Sequence, residues 1–254
     1  MTRSNKTEFT VKMVETPEEL RAAQRLRYDV FVKELGGGGV LVDHEQRIER
    51  DRFDPYFDHM ILMEKGRDDV IGVYRLLRGT QADAAGGFYS EAEFDLSLLK
   101  SSDRNLLELG RSCLHPAYRG GTAMHVLWSG LADYVAEHQI EILFGAASFH
   151  GTNLNKLAGP LSLLHHRHLA PQSLRVRARE AVFQSMDLIA EKDLDRAAAM
   201  VQVPSLIKAY LRLGGCVGEG AFVDHVFNTT DVCLIMDTAQ MNARQARIYG
   251  KGST

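Results

Sequence analysis

Apolar and polar positions along the chain change their period several times, and each change marks an element. Phe9, Val11 and Met13 alternate with polar neighbours across 8–14, the pattern of a half-buried strand. Thr16-Pro17-Glu18-Glu19 then supplies a helix start: a hydroxyl cap, proline at the first helical position and glutamate three residues after the cap. The helix is expected to run to about Leu35, with Leu20, Gln24, Arg27, Phe31 and Leu35 on one stripe, so an arginine stands among core positions. Glycines 36–39 end it and open a loop that continues through the charged stretch 43–54. Strand-like runs at 59–64 and 70–77, joined by Lys65-Gly66-Arg67-Asp68, read as an antiparallel hairpin. On its second strand Arg75 shares a face with Ile71, Val73 and Leu77.

After a connector at 86–95, the run LLELGRSCL (106–114) reads as a buried strand that carries Glu108 and Arg111. His115-Pro116 ends it, 118–122 lead into a helix to about His138, and 141–149 forms another apolar strand, which together make a βαβ unit. Helices near 153–164, 193–200 and 204–213 surround the basic text LHHRHLAPQSLRVRARE, and strands are expected at 221–227 and 232–236. The residues from 240 to 254 read as a polar tail.

Thirty Lys+Arg against thirty-three Asp+Glu give a net charge of -3, which argues against a nucleic-acid binder working by bulk charge. Cys113, Cys216 and Cys233 lie far apart with no C-x-x-C pair, a usage that fits buried thiols in a reducing compartment. The first ten residues lack an apolar core of the signal-peptide kind, and no apolar run reaches the roughly 18 residues of a membrane span. The expected location is the cytoplasm, with contact at a membrane surface left open.

Charge on apolar faces is the chemical clue. Burying it costs several kcal/mol unless partners are supplied, and Arg27, Asp51, Asp54 and Arg75 are the partners available to Glu108 and Arg111. Ideal alternation sets residues three apart on opposite faces; Gly110 would permit a bulge that aims both into one cleft. The plainer alternative is a structural ion pair. Tyr118-Arg119-Gly120-Gly121-Thr122, ahead of a helix, has the position of an anion cradle or of a simple turn. Cys113 is read first as a core thiol, ahead of a nucleophile. His165, His166 and His168 show no metal-ligand spacing, so no metal is expected; with Arg167, Arg175, Arg177 and Arg179 they form either a docking strip or a solvated helix face. No G-x-S-x-G, H-x4-D, Walker or Rossmann pattern occurs.

Arg27-x3-Phe31, Asp51-x2-Asp54, Arg75-Leu76-Leu77 and Glu108-x2-Arg111 resemble the N-acyl-homoserine lactone synthases, acyltransferases of the GNAT fold. LRYDVF, DRFDPYFDHM, GVYRLL, GGFYSEAEFDL, LLELGRSCLHPAYR, GAASFHG, PLSLLHHRHLAP, IKAYLRLGG and FNTTDV are more similar to a sister family, the ornithine N-alpha-acyltransferases that make lyso-ornithine lipid; the resemblance takes in most of the chain between 26 and 236. The resemblance implies an α/β (α+β) fold: a central mixed, mostly antiparallel sheet flanked by helices, one domain over 1–254 with a helical insertion at 151–215. It implies transfer of a 3-hydroxy fatty acyl group from the phosphopantetheine thioester of acyl carrier protein to an amino acid, with no resident cofactor. The catalytic set is then Glu108, Arg111 and Ser112, and Arg27, Phe31, Asp51, Asp54 and Arg75 serve the acceptor. Cys113, Leu114, Arg119, Gly120, Gly121, Phe144 and Phe149 serve the acyl donor, while 165–179 is the candidate for peripheral membrane contact. Tyr118 departs from the R/Q-x-x-G-x-G/A loop of acetyl-CoA enzymes, a departure that fits a carrier-protein donor. A homoserine-lactone-type signal synthase, the same chemistry on glutamine, and a non-catalytic haemolysin-like protein are the alternatives.

Overall fold

The computed structural model describes residues 7–241; the expected tail from 242 onward lies outside them. In chain order the strands are β1 (Phe9–Met13), β2 (Asp58–Glu64), β3 (Val70–Arg78), β4 (Phe94–Asp95), β5 (Leu106–Leu114), β6 (Ile142–His150), β7 (Arg177–Ala178), β8 (Cys216–Asp224) and β9 (Thr229–Asp237). The helices are α1 (Pro17–Arg27), α2 (Gly79–Ala85), α3 (Ser97–Lys100), α4 (Ala123–Glu137), α5 (Leu154–His168), α6 (Arg196–Gln202) and α7 (Ser205–Arg212). Most strand pairs are antiparallel, and β5–β6 and β7–β8 are parallel, so the mixed, mostly antiparallel sheet flanked by helices is borne out.

The described residues form two compact units. One takes in residues up to Leu76 together with Gly110–His138; the other takes in Leu77–Leu109 and 139–241. In the first, β1, β2 and β3 form an antiparallel meander, and α1 covers a core of Ala23, Leu26, Val30, Ile61, Val73 and Cys113. Thr16 caps α1 by accepting from the Glu19 amide, while the Glu19 carboxylate reaches back to the Glu15 amide. The single helix expected to reach Leu35 instead ends its α-helical part at Arg27 and widens into a π-helical turn, Tyr28–Glu34. Leu35 N–H bonds the Val30 carbonyl there, a five-residue step of the kind that gathers at functional positions.

In the second unit Leu106–Glu108 of β5 run parallel to β6, and β6–β9–β8 continue antiparallel; along the chain α4 falls between β5 and β6, the order expected of a βαβ unit. The last strand pair was placed late by its sequence: β8 begins at Cys216, because Gly218 and Gly220 hide its alternation inside a register shift between Val217 and Ala221. The 86–95 connector holds a 3-10 turn, Tyr89–Ala92, and the short β4. Residues 151–215 carry α5, α6 and α7, and the stretch between α5 and α6 is laced to α5 by side chains. Ser162 accepts from the Leu188 and Ile189 amides, and His166 Nε2 bonds the Ile189 carbonyl at 2.9 Å. Its β7 end is clipped by a stack: the Arg177 guanidinium lies 4.0 Å over the Phe183 ring, and that ring seats on Gly220 (φ +79°), where a Cβ would come within 2.3 Å of it.

Candidate functional site

Charges that the sequence sets on apolar faces meet in the first unit. Arg27, fully buried in the last turn of α1, donates from Nε to Glu49 Oε2 at 2.5 Å and from Nη1 to Asp54 Oδ1 at 2.9 Å. Arg75, equally buried on β3, donates from Nη1 to Asp54 Oδ1 at 2.6 Å and to Asp51 Oδ2 at 2.8 Å, with its guanidinium 4.2 Å over the Phe57 ring. Gln24, one turn before Arg27, donates to Asp54 Oδ2 at 2.8 Å, and His59 Nε2 donates to the Asp54 carbonyl at 2.9 Å. Arg111 Nε donates to Glu49 Oε1 at 3.1 Å, Nη2 lies 3.6 Å from Asp51 Oδ2, and its guanidinium stands 5.8 Å from the Phe31 ring. Three guanidiniums face three carboxylates, so the set carries no net charge. That balance is what makes its burial tolerable.

Arg111 joins the set through its backbone. It adopts φ +50°, a left-handed conformation that costs a non-glycine residue about 1–3 kcal/mol and interrupts the alternation of β5. The sequence placed this irregularity at Gly110; the structure puts it one residue later, where it turns Arg111 toward Glu49. Of the three arginines Arg111 is the most exposed, at 14% of its side chain.

Glu49 is the residue that sequence reasoning missed. It is 1% exposed and bonds two arginines, yet in RIERDRFD it reads as one charge among many in a loop. Burial would raise the Glu49 carboxyl, but Arg111, Arg27 and Arg75 hold it at about 2. Burial opposes Asp54 in the same way, and Arg27 and Arg75 hold it at about 2. Burial also keeps His59 below its ordinary value of 6.5. All three favour the native state at neutral pH. Stability should begin to fall as pH drops below 6.5 through His59, and more steeply from about 4.5 toward 2 as Glu49 and Asp54 protonate. Denaturant midpoints measured down that range check this. A flat profile would contradict it, and Glu49→Gln should reduce the slope.

Glu108 belongs to the second unit, where it is 2% exposed. Its two oxygens accept from the Tyr89 and Ser90 amides, each at 2.7 Å, so it fastens the 3-10 turn to β5. The β5–β6 ladder pairs Leu106–Glu108 with Ile142–Phe144. Just beyond, Gly145 passes so close to β5 that a Cβ there would lie 2.2 Å from the Leu109 carbonyl oxygen. Phe144 packs edge-on against Phe88 at 4.9 Å, and Phe149 is buried.

Of the remaining nominated residues, Ser112 is half-buried with a hydroxyl that has no partner among the described residues, and Leu114 is buried. Cys113 lies in the apolar core, and burial pushes its thiol up to about 12, which suits a packing residue rather than a nucleophile. Arg119 forks onto Glu34 at 2.6 and 2.7 Å, Gly120 is left-handed (φ +77°), and Gly121 is exposed ahead of α4. Tyr118 donates to Glu64 at 2.7 Å.

The basic strip begins as the last turn of α5, where cations suit the helix dipole. His166 Nε2 lies 3.3 Å from Asp187, His165 4.0 Å from it, Arg167 pairs with Glu191, and Arg177 lies near Glu180 and Glu219. His165, His166 and Asp187 could hold a metal ion; Asp187 is supplied by a distant loop, which no local spacing announces. Among the described residues no helix is long and apolar enough to cross a membrane.

Residues 26–129 match the acetyltransferase (GNAT) domain family, a stretch that runs through both units. The L-ornithine N(alpha)-acyltransferase of Rhodobacter capsulatus is 57% identical over 246 residues, covering 95% of this chain and 94% of that protein. The one from Brucella abortus is 38% identical, covering 94% and 88%. Among solved structures, the CoA-dependent acyl-homoserine lactone synthase MesI has a TM-score of 0.53 at 14% identity, covering 96% of this chain and 97% of that one. The synthase BjaI with MTA gives 0.53 at 14% identity over 95% and 88%. Those two likenesses speak to the fold, which is that of an acyltransferase.

Proposed function

Because this chain belongs to the L-ornithine N(alpha)-acyltransferase family and is an acyltransferase, we propose that it moves a 3-hydroxy fatty acyl group from acyl carrier protein to the α-amine of L-ornithine, forming lyso-ornithine lipid. The observation that carries the acceptor is the full-length likeness to relatives of that name. The carrier-protein donor is supported by Tyr118, which stands where nucleotide-binding relatives have arginine or glutamine. The thioester is a co-substrate, and the proposal includes no resident cofactor.

In the proposed reaction the acceptor arrives as an ammonium and must lose a proton before its lone pair attacks the thioester carbonyl carbon. Glu108 takes that proton, directly or through water. The C–N bond forms and the carbonyl oxygen becomes an oxyanion, received by backbone N–H groups of Ser112, Cys113 and Leu114. The tetrahedral centre collapses, the C–S bond breaks, and the carrier thiol leaves protonated. Arg111, the most exposed of the three arginines, receives the acceptor carboxylate, and its planar fork suits that shape. Arg27, Arg75, Asp51 and Asp54 order the chain around it, with Phe31 beneath the Arg111 guanidinium. Gly120 and Gly121, beside Arg119, admit the pantetheine arm, and Phe144 and Phe149 line the path of the acyl chain.

The product is a single-chain amphiphile. Residues 165–179 contain no acid and are proposed as a peripheral docking strip, on the cytoplasmic side, for an anionic membrane or the acidic carrier. One assay tests these assignments: purified protein with 3-hydroxyacyl carrier protein or acyl-CoA, and ornithine, glutamine or S-adenosylmethionine, read as free thiol and product mass. N-acyl-ornithine made from the carrier thioester is the expected result, and release with another acceptor alone overturns it. In the same series, reversal of Arg175, Arg177 and Arg179 to glutamate should weaken binding to anionic vesicles or to the carrier; unchanged binding to both removes the docking strip.

A further inference from the structure

The last turn of α5 and the segment 185–190 bring together donor atoms that the proposed reaction does not use. His165, His166 and Asp187 each offer one ligand atom, and these atoms lie within 4.8 Å of one another. All three belong to the second unit. His166 Nε2 lies 3.3 Å from Asp187 Oδ1, His165 Nε2 lies 4.0 Å from Asp187 Oδ2, and the two rings stand 5.1 Å apart. The segment is held from beneath by one hydroxyl. Ser162 is fully buried, donates from Oγ to the Met186 carbonyl at 3.2 Å, and accepts from the Leu188 and Ile189 amides at 3.0 and 2.9 Å. It precedes His165 by three residues and His166 by four, so the three share one helix face. The backbone on both sides of Asp187 is thereby fixed against the turn that carries the histidines.

Two observations point from this cluster to a cation. His166 Nε2 faces two oxygens, the Ile189 carbonyl at 2.9 Å and Asp187 Oδ1 at 3.3 Å, with one proton to give them. An ion on the Nε2 lone pair would serve both oxygens at once, the ring proton passing to Nδ1 and the imidazole staying neutral. Asp187, for its part, is paired with no arginine or lysine among the described residues; its cationic partners are the two imidazoles. Arg167, the next side chain of the strip, is engaged by Glu191 at 3.1 Å. The spacing also fits. Zinc bonds of about 2.0–2.1 Å at tetrahedral angles set donor atoms roughly 3.3–3.4 Å apart, the separation of His166 from Asp187. His165 stands slightly beyond that range, and with side chains 27% and 53% exposed it and Asp187 have room to close. Two imidazoles and a carboxylate suit zinc and its transition-metal neighbours, whereas calcium and magnesium want a shell of oxygens. The dipole at the C-terminal end of α5 favours the added positive charge.

We propose that His165, His166 and Asp187 form a zinc-class metal site whose ion staples the 185–190 segment to α5. The ion is structural: it closes the stretch between the histidines and Asp187, where regular structure is sparse, and takes no part in acyl transfer. The site therefore stands or falls independently of the proposed reaction. The test uses the untagged full chain after chelator treatment, titrated calorimetrically with Zn2+ and separately with Mg2+ and Ca2+. One Zn2+ per chain is expected, bound at least roughly 100-fold more tightly than either of the other ions. His166→Ala and Asp187→Asn should each weaken Zn2+ binding by roughly 100-fold, and Ser162→Ala, which loosens only the support, by about 10-fold. Asp187→Asn alters a half-exposed side chain and is expected to fold, which keeps the test open if His166→Ala does not. Zn2+ should also slow limited proteolysis within 169–195, and Asp187→Asn should abolish that protection. A wild-type chain that binds no Zn2+ overturns the site, as does binding that survives in every variant, which would place the ion elsewhere. A preference for Ca2+ or Mg2+ overturns the class of metal, and Zn2+ binding without protection overturns the staple.

Discussion

Glu49→Ala is expected to cost about 3–5 kcal/mol of folding stability, a large share of the roughly 5–15 kcal/mol that holds a domain. The loss comes from what remains behind. Arg27 is fully buried and would keep its charge after losing two of its short contacts, while Arg111 would lose the anchor of its strained backbone. Glu49→Gln keeps an acceptor for one arginine and should cost less, so the pair of variants separates hydrogen bonding from charge. The measurement is the denaturant midpoint at neutral pH with the m-value held. A loss for Glu49→Ala under about 1 kcal/mol would show that Arg27 is stabilised without it.

The second large effect concerns chemistry. Glu108→Gln should lower kcat by about 10²–10⁴, the usual contribution of a general base, and should abolish the acidic limb of the pH–rate profile. Its carboxylate also fastens the Tyr89–Ala92 turn. Glutamine offers one oxygen where two amides donate, which should destabilise the fold by about 1–3 kcal/mol. Melting temperature must therefore be followed in the same samples. Glu108→Asp, which preserves both acceptors on a shorter arm, supplies a second reading. Undiminished turnover of Glu108→Gln at saturating substrate across pH would remove Glu108 as the base and leave it as the fastening of the turn.

These two residues also mark where sequence was legible and where it was not. Glu108 stood out because it interrupts an apolar run, as Arg27 interrupts a helix stripe and Arg75 a strand face. Glu49 did not, because a charge inside a charged loop breaks no pattern; only the folded chain shows that Ile48 and Glu49 are drawn inward. The elements with clean periods, such as β1, the β2–β3 hairpin and β5–α4–β6, were placed within a residue or two. Those whose period is broken were not. The π-helical turn after Arg27 changes the residue count per turn, and the glycines of β8 hide its alternation. Encounters between distant residues, such as Asp187 with the α5 histidines or Glu93 with Asp231, leave no spacing to read.

The stack of Arg177 on Phe183 on Gly220 reaches beyond catalysis to the lifetime of the protein. Residues 169–195 carry little regular structure, so once loosened they are where a cellular protease would find extended backbone. Any side chain at Gly220 would displace the Phe183 ring and release one end of that segment. Such a change would leave every acid and arginine of the proposed chemistry in place and still deplete the enzyme, through turnover of the chain rather than turnover by it.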